Sequence, residues 1–200
     1  LKTICPDVDA RVIHPGVDVE SFEQLSGDRS WRDKWGWGSE TTVVCTIARM
    51  EPRKNQKGVI EAIAILAEEG ARIGYVCAGV GPEQDSLRAL VKDLGIEERI
   101  RFPGRVSEEE KRLVYAAADI HAMPSIETGA VTEGFGIVFL EAAAASVPSV
   151  AGCVGGQSEA VLDGRTGIVV DGKNPSEIAA ALRRLIREPE LRREMGASAL

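Results

Sequence analysis

The chain has 200 residues, of which 44% are hydrophobic, and a formal net charge of −7. This length is enough to bury the core of one good-sized domain or of two small ones. The acidic balance argues against nucleic acid as a partner and against a general attraction to anionic lipid, so an anionic ligand must be held by a local site. No run of 18 apolar residues occurs, which argues against a transmembrane helix.

The cysteines favour a reducing environment. Four are present, at positions 5, 45, 77 and 153, and they form no C-x-x-C pair and no cluster with the two histidines. Cys45 and Cys77 fall in apolar, strand-like runs, where a thiol behaves as a small hydrophobe. We therefore expect a cytoplasmic location. The sequence has no signal peptide pattern and runs from Leu1 to Leu200, which we interpret as a piece of a longer protein.

The first forty residues are the least regular part of the sequence. They predict a strand at 11–13, a turn at Pro15-Gly16 and a short amphipathic segment at 31–37 that packs on the following domain. Asp7-Val8-Asp9 has a spacing that can hold a divalent metal, but it precedes the regular part of the chain. We therefore favour a solvated turn there and predict no metal site.

From residue 41 onward, short apolar runs alternate with segments of helical periodicity. The apolar runs predict strands at 43–48, 73–78, 100–102, 119–123, 147–151 and 167–170. The periodic segments predict helices at 56–69, 83–94, from 108 onward, 135–145 and 175–187, with caps at Ser107 and Asn174. This alternation indicates a doubly wound, Rossmann-like parallel α/β domain at 41–187, followed by a helical segment at 188–200.

Loops that follow strands are candidate binding segments, because ligands of open α/β sheets lie at the carboxyl ends of the strands. The loop after the first core strand carries Arg49, Arg53 and Lys54, which could neutralise a diphosphate. Taken alone, this loop is more typical of a solvated basic segment. The Gly79-Val80-Gly81-Pro82 segment lacks the third glycine of a dinucleotide fingerprint and is better interpreted as a tight turn. His121 falls inside a strand and is interpreted as a core histidine.

The most informative segment has Glu133 and Glu141 eight residues apart, with Gly134 and Gly136 at the start of an apolar helix between them. Amides at a helix start favour an anion, and carboxylates accept hydrogen bonds from sugar hydroxyls. A helix throughout would put the carboxylates about 12 Å apart along one groove. The pattern indicates a ligand with hydroxyls at both ends and phosphate between, such as a nucleotide sugar. The alternative is a helix-start charge at Glu133 and a paired, partly buried Glu141.

Six segments, taken in order, resemble the C-terminal half of glycosyltransferase family 4, the retaining enzymes of GT-B type. The family patterns G-R-L-x-x-x-K, G-x-G-P and E-x7-E have counterparts in this chain, with Ala48 in place of the first glycine. The matching segments are 12–18, 48–54, 78–82, 101–106, 117–125 and 133–141. Each segment is a weak signal alone, whereas their shared order and spacing are specific.

The resemblance implies a role for each matching residue. Arg49 and Lys54, assisted by Arg53, would bind the donor diphosphate and stabilise the leaving nucleoside diphosphate in place of a metal. Glu133 would hold sugar hydroxyls, and Glu141 would accept from the ribose. These assignments make Arg49, Lys54 and Glu133 the candidate catalytic residues. The other implied contacts are the loop amides from Gly134, Phe135 and Gly136 to Ile137 and Val138, and the backbone near Arg105 and Val106 against the base.

The family also implies an N-terminal domain that binds the acceptor, and we expect that domain to lie outside this sequence. The expected donor is a UDP- or GDP-linked hexose, with no cofactor, and membrane contact is expected only through the other half. We expect this part alone to bind nucleotide weakly and to transfer nothing. Two other functions remain open: a sugar-nucleotide epimerase of the same architecture, and a non-catalytic nucleotide-binding α/β module. A dinucleotide-dependent dehydrogenase is least favoured.

Overall fold

A computed structural model describes residues 13–25 and 27–200. Within this part, six strands form one sheet whose neighbouring strands are all parallel. The strands are β1 Thr42–Ile47, β2 Ile73–Ala78, β3 Ile100–Gly104, β4 Ile120–Met123, β5 Ser149–Gly152 and β6 Gly167–Val170. The predicted strand at 11–13 and the Asp7-Val8-Asp9 turn fall wholly or mainly outside the described residues.

The strand order is β3-β2-β1-β4-β5-β6. The chain builds outward from β1 to β3, returns to the other side of β1 and builds outward again to β6. A crevice therefore opens between the carboxyl ends of β1 and β4, where the winding reverses. This arrangement confirms the doubly wound, Rossmann-like parallel fold predicted from the sequence. It also brings the Arg49 and Glu133 loops to the same edge of the sheet.

Helices cover both faces of the sheet. They are α1 Val19–Glu23, α2 Ser30–Trp35, α3 Gln56–Glu68, α4 Gln84–Asp93, α5 Glu108–Ala117, α6 Ile137–Ala144, α7 Gln157–Ala160, α8 Pro175–Arg187 and α9 Pro189–Ala199. Side chains of α3, α4 and α8 form the core on one face, and those of α1, α2, α5 and α6 form the core on the other. In the part of the chain that is described, no helix combines the length and the apolar character needed to cross a membrane.

Local sequence signals explain several helix starts. Ser107 and Glu110 form the predicted capping box at α5, and Asn174 caps α8 ahead of a proline at the first helical position. Asn55 caps α3 from a left-handed backbone conformation, with φ of 57°, and accepts from the Gly58 N–H. This third cap was not predicted, because neither a capping box nor a proline marks it.

Four helices refine or add to the predictions from the sequence: α6, α2, α1 and α7. The predicted helix at 135–145 begins only at Ile137, because Gly136 adopts a φ of 82° as its N-cap. The tryptophan-rich segment forms α2, with Trp35 and Trp37 buried against the sheet-facing core. Helices α1 and α7 are short and carry no periodicity long enough for sequence reasoning to detect.

A buried ion pair ties α2 to the amino edge of the sheet. Arg32 Nη2 lies 2.6 Å from Asp119 Oδ2, and its other nitrogens donate to the carbonyl oxygens of Ala117 and Thr41. Asp119 also accepts from the Val43 N–H at 2.7 Å, at the start of β1. The pair thus fixes the beginnings of β1 and β4 relative to each other, and with them the directions in which both strands reach the crevice.

The Arg32→Ala substitution is expected to lower the free energy of unfolding by about 3 kcal/mol, because it removes the main partner of a carboxylate shielded from water. Urea denaturation monitored by circular dichroism measures this loss. Arg183→Ala is the matched control, since its ion pair with Glu69 lies at the surface and is expected to contribute little. Equal losses in the two variants would contradict the anchoring role of Arg32.

Candidate functional site

The carboxyl edge of the sheet holds a cavity of about 330 Å³. It is open to solvent and is formed by the ends of β1 and β2, the segment after β3, and one side each of α5 and α6. Its lining includes five of the predicted binding residues: Arg49, Arg105, Val106, Val138 and Glu141. The other lining residues are Ile47, Ala48, Ala78, Gly79, Val80, Glu108 and Lys111.

The glycines after β2 shape one wall of this cavity. A side chain added at Gly79 would overlap the carbonyl oxygen of Ala48, and one added at Gly81 would overlap that of Met50. Backbone hydrogen bonds join Met50 N to Val80 O and Glu83 N to Met50 O, both at 3.1 Å. The predicted tight turn is present, and the absence of side chains at its glycines lets it pack directly on the loop that carries Arg49.

A chain of alternating charges runs along the edge of the crevice. Glu51 lies 3.0 Å from Arg49 and 3.2 Å from Arg53. Arg53 Nη1 and Lys54 Nζ then share Oε2 of Glu133, at 2.7 and 2.5 Å. The structure therefore brings Arg53, Lys54 and Glu133 into direct contact, although they are about 80 residues apart in sequence. Sequence reasoning placed these residues in one site but did not foresee the role of Glu51.

Burial differs sharply along this chain of charges. The side chains of Glu133 and Lys54 are 9% and 11% exposed, whereas that of Arg49 is 75% exposed. A carboxylate removed from water in this way needs charged partners, and Arg53 and Lys54 supply them. Arg49 instead projects over the open cavity, where its guanidinium can meet an incoming anion.

The segment between the two glutamates is not one helix. Residues 133–136 form a loop, and α6 starts at Ile137. The spacing of about 12 Å assumed a helix throughout, and that condition is not met because Gly136 breaks the helical path with its positive φ. The amides at the start of α6 still belong to the groups that a helix leaves without acceptors of its own.

Gly155 and Gly156 pack against the loop that carries Glu133. The Gly156 N–H donates to the Glu133 carbonyl oxygen at 3.0 Å. Side chains at Gly155 and Gly156 would overlap the carbonyl oxygens of Glu133 and Gly134. The ring of Phe135 is stacked on His14, with centroids 4.7 Å apart. The sequence marked 155–156 only as a turn, and its packing against the glutamate loop could not be seen from spacing.

Glu141 is held by two residues that sequence reasoning missed. Lys111 Nζ lies 2.6 Å from Oε1, and the Tyr115 hydroxyl donates to Oε2 at 3.3 Å. Burial acts to lower the pKa of Lys111, but its hydrogen bonds to Glu108 and Glu141 outweigh that effect and raise it. Lys111 therefore stays protonated at neutral pH. The signal that could have identified Lys111 was its position one turn after the Ser107 cap, on the side of α5 that faces α6.

His121, Cys45 and Cys77 are buried in the core. His121 is fully buried, its Nδ1 lies 3.1 Å from the Ser149 hydroxyl, and burial lowers its pKa to about 3. It is therefore a neutral core residue, as interpreted from the sequence. Cys45 and Cys77 are buried free thiols, and burial raises the pKa of Cys77 to about 12. Across residues 13–25 and 27–200, no group of three or more potential metal ligands occurs.

Comparison with curated proteins identifies relatives that are glycosyltransferases. The chain is 38% identical over 194 residues to a GDP-mannose-dependent alpha-(1-6)-phosphatidylinositol monomannoside mannosyltransferase of Mycolicibacterium smegmatis, covering 96% of this chain and 50% of the relative. It is 37% identical over 199 residues to a D-inositol 3-phosphate glycosyltransferase of Corynebacterium glutamicum, covering 94% and 46%. The chain thus spans about half the length of these relatives.

Solved structures share the fold. Anabaena HepE in complex with UDP-glucose superposes with a TM-score of 0.82 at 25% identity, covering 94% of this chain and 51% of that one. The C-terminal domain of a glycosyl transferase group 1 family protein from Francisella tularensis gives a TM-score of 0.76 at 26% identity, covering 92% and 94%. The fold is therefore that of the C-terminal domain of GT-B glycosyltransferases.

The model of the family described as glycosyl transferases group 1 matches residues 27–200. This match covers most of the chain, agrees with the resemblance found in the sequence, and includes every residue of the crevice described above. The chain belongs to the glycosyl transferases group 1 family.

Proposed function

We propose that this chain is the donor-binding part of a retaining glycosyltransferase, which moves a hexose from a UDP- or GDP-linked donor to an acceptor held by an N-terminal domain. The observation that carries this proposal is the convergence of two sets of side chains at one edge of the sheet. Arg49, Arg105 and Glu141 line the cavity, and the ion pairs of Glu51 and Arg53 connect Arg49 to the Lys54–Glu133 pair. The first set suits a nucleoside diphosphate, and the second suits a sugar at its end.

The nucleoside would occupy the cavity. Glu141 would accept from the ribose hydroxyls, since Lys111 and Tyr115 hold its carboxylate at the cavity wall. The base would lie against the backbone of Arg105 and Val106. The diphosphate would meet Arg49 together with the amides of the glycine-flanked loop and the first turn of α6.

The sugar would lie against Glu133. Arg53 and Lys54 both contact Oε2 of this carboxylate, so Oε1 is the oxygen best placed to accept from sugar hydroxyls. When the bond between the anomeric carbon and the phosphate oxygen breaks, negative charge develops on the departing diphosphate. Arg49, Arg53 and Lys54 would stabilise that charge in place of a metal ion, which lowers the barrier to departure.

The names of the relatives bear on the base and on the sugar. The M. smegmatis relative is named as GDP-mannose-dependent, whereas the HepE structure contains UDP-glucose. Because the former shares 38% identity and the latter 25%, we favour GDP-mannose among the expected donors.

Binding of nucleoside diphosphates tests the site directly. We expect the chain to bind GDP or UDP in calorimetric titrations, with weaker binding of ADP and no effect of EDTA. Arg49→Ala, Lys54→Ala and Glu141→Ala should each weaken binding at least about tenfold, because each removes a charge-assisted contact. The control Lys92→Ala removes an exposed cation from α4 and should change nothing. Unchanged binding in all three site variants would favour a non-catalytic module.

Measurement of turnover tests the proposal that this chain binds the donor and that a separate N-terminal domain binds the acceptor. We expect the purified chain to release no GDP or UDP from its donor in the presence of acceptor, because the acceptor site belongs to the proposed N-terminal domain. Chromatography of nucleotides after incubation with GDP-mannose or UDP-glucose measures this. Acceptor-dependent release at rates typical of enzymes would contradict the proposal, and a free epimerised sugar nucleotide would favour an epimerase.

The turn after β2 provides a test without touching a charge. Gly81→Ala is expected to weaken binding of GDP or UDP several-fold, because the added methyl group must displace the Met50 carbonyl and with it the Arg49 loop. Gly38→Ala is the matched control, since nothing lies within 4 Å of a side chain added there. Wild-type affinity in a folded Gly81→Ala variant would show that the loop position is unimportant.

A further inference from the structure

Glu51 occupies an unusual position for a carboxylate in a site proposed to bind a diphosphate. It lies between the two arginines of the loop after β1, with Oε1 directed to Arg49 and Oε2 to Arg53. Its side chain is 20% exposed, so it is partly shielded from water. Carboxylates and phosphates use the same guanidinium nitrogens. Glu51 therefore holds groups that a bound diphosphate would also contact.

The net charge along the crevice depends on Glu51. Three cations, Arg49, Arg53 and Lys54, alternate with two carboxylates, Glu51 and Glu133, which leaves one net positive charge. Glu133 is required on the sugar side in the proposed function. Glu51 has no proposed contact with the ligand. Its carboxylate lies 3.0 Å from Arg49, the arginine expected to meet the phosphates.

The proposed donor and the product that it leaves behind differ in charge. The diphosphate of a nucleotide sugar is substituted at both ends and carries about two negative charges. A free nucleoside diphosphate ends in a phosphate whose last ionisation lies near pH 6, so it carries about three at pH 8. A fixed carboxylate repels the product more strongly than the donor, because Coulomb energy scales with the charge of the ligand.

We propose that Glu51 is a specificity-determining residue that weakens binding of the free nucleoside diphosphate relative to the nucleotide sugar. It does so by competing for Arg49 and Arg53 and by repelling the extra charge on the terminal phosphate. This role rests on the proposed function of the crevice. It limits retention of the product at a site that must hold cations close to the leaving group.

The test compares two ligands in two variants. For Glu51→Gln, which keeps the shape and removes the charge, we expect GDP and UDP to bind about three- to tenfold more tightly at pH 8 and low salt. Binding of GDP-mannose and UDP-glucose should tighten by a smaller factor. Glu51→Asp keeps the charge and should retain the wild-type ratio of donor to product affinity. Glu61→Gln removes a partly exposed carboxylate from α3, paired with Lys57, and is the control for net charge.

Calorimetry at two salt concentrations supplies the readout, and thermal denaturation checks that each variant is folded. Glu51→Gln should tighten binding of the product more than binding of the donor, and this difference should shrink as the salt concentration increases. The reason is that the interaction is electrostatic and partly exposed to solvent. An equal change for donor and product, or weaker binding of both, would overturn the proposal and would make Glu51 a support for Arg49. Failure of the wild-type chain to bind any of the four ligands would instead overturn the proposed function, and this role with it.

Discussion

The contact between Lys54, Arg53 and Glu133 is the constraint around which the crevice is organised. It joins the loop after β1 to the loop after β4, across the point where the winding of the sheet reverses. Burial makes the contact obligatory, because a carboxylate that is 9% exposed is costly without cationic partners. The same contact places a cation within one hydrogen bond of the carboxylate that we propose to bind the sugar. Stability and the proposed chemistry therefore depend on the same three side chains.

Close backbone packing supports that contact from two sides. Gly79 and Gly81 let the turn after β2 lie on the Arg49 loop, and Gly155 and Gly156 let the turn after β5 lie on the Glu133 loop. Neither pair needs to touch a ligand to matter. Each pair of glycines fixes the position of one loop relative to the sheet. The position of the loop in turn determines how far its charged side chains reach into the cavity. The glycines thus determine the shape of the cavity edge, and the arginine, lysine and glutamate side chains determine its charge.

Much of this arrangement could be predicted from the sequence, because strand and helix periodicity fixes the parallel order and parallel order brings strand ends together. The loops that carry Arg49, Lys54 and Glu141 were located in this way, whereas the roles of these residues followed from the resemblance to glycosyltransferase family 4. All three residues lie at the predicted edge. Local backbone choices could not be predicted. A helix from 135 was expected because apolar spacing continues through it, whereas the positive φ of Gly136 delays its start. Lys111 and Glu51 were missed since their partners are distant in sequence or were assigned to other roles.

The position of a bound nucleotide is the most direct measurement of the central claim. A crystal structure of the chain with GDP or UDP should show the ribose hydroxyls within hydrogen-bonding distance of Glu141, and the diphosphate between Arg49 and the start of α6. The base should lie against the segment at 105–106. A nucleotide bound elsewhere on the molecule, or one whose phosphates point away from Arg49 and Lys54, would contradict the account.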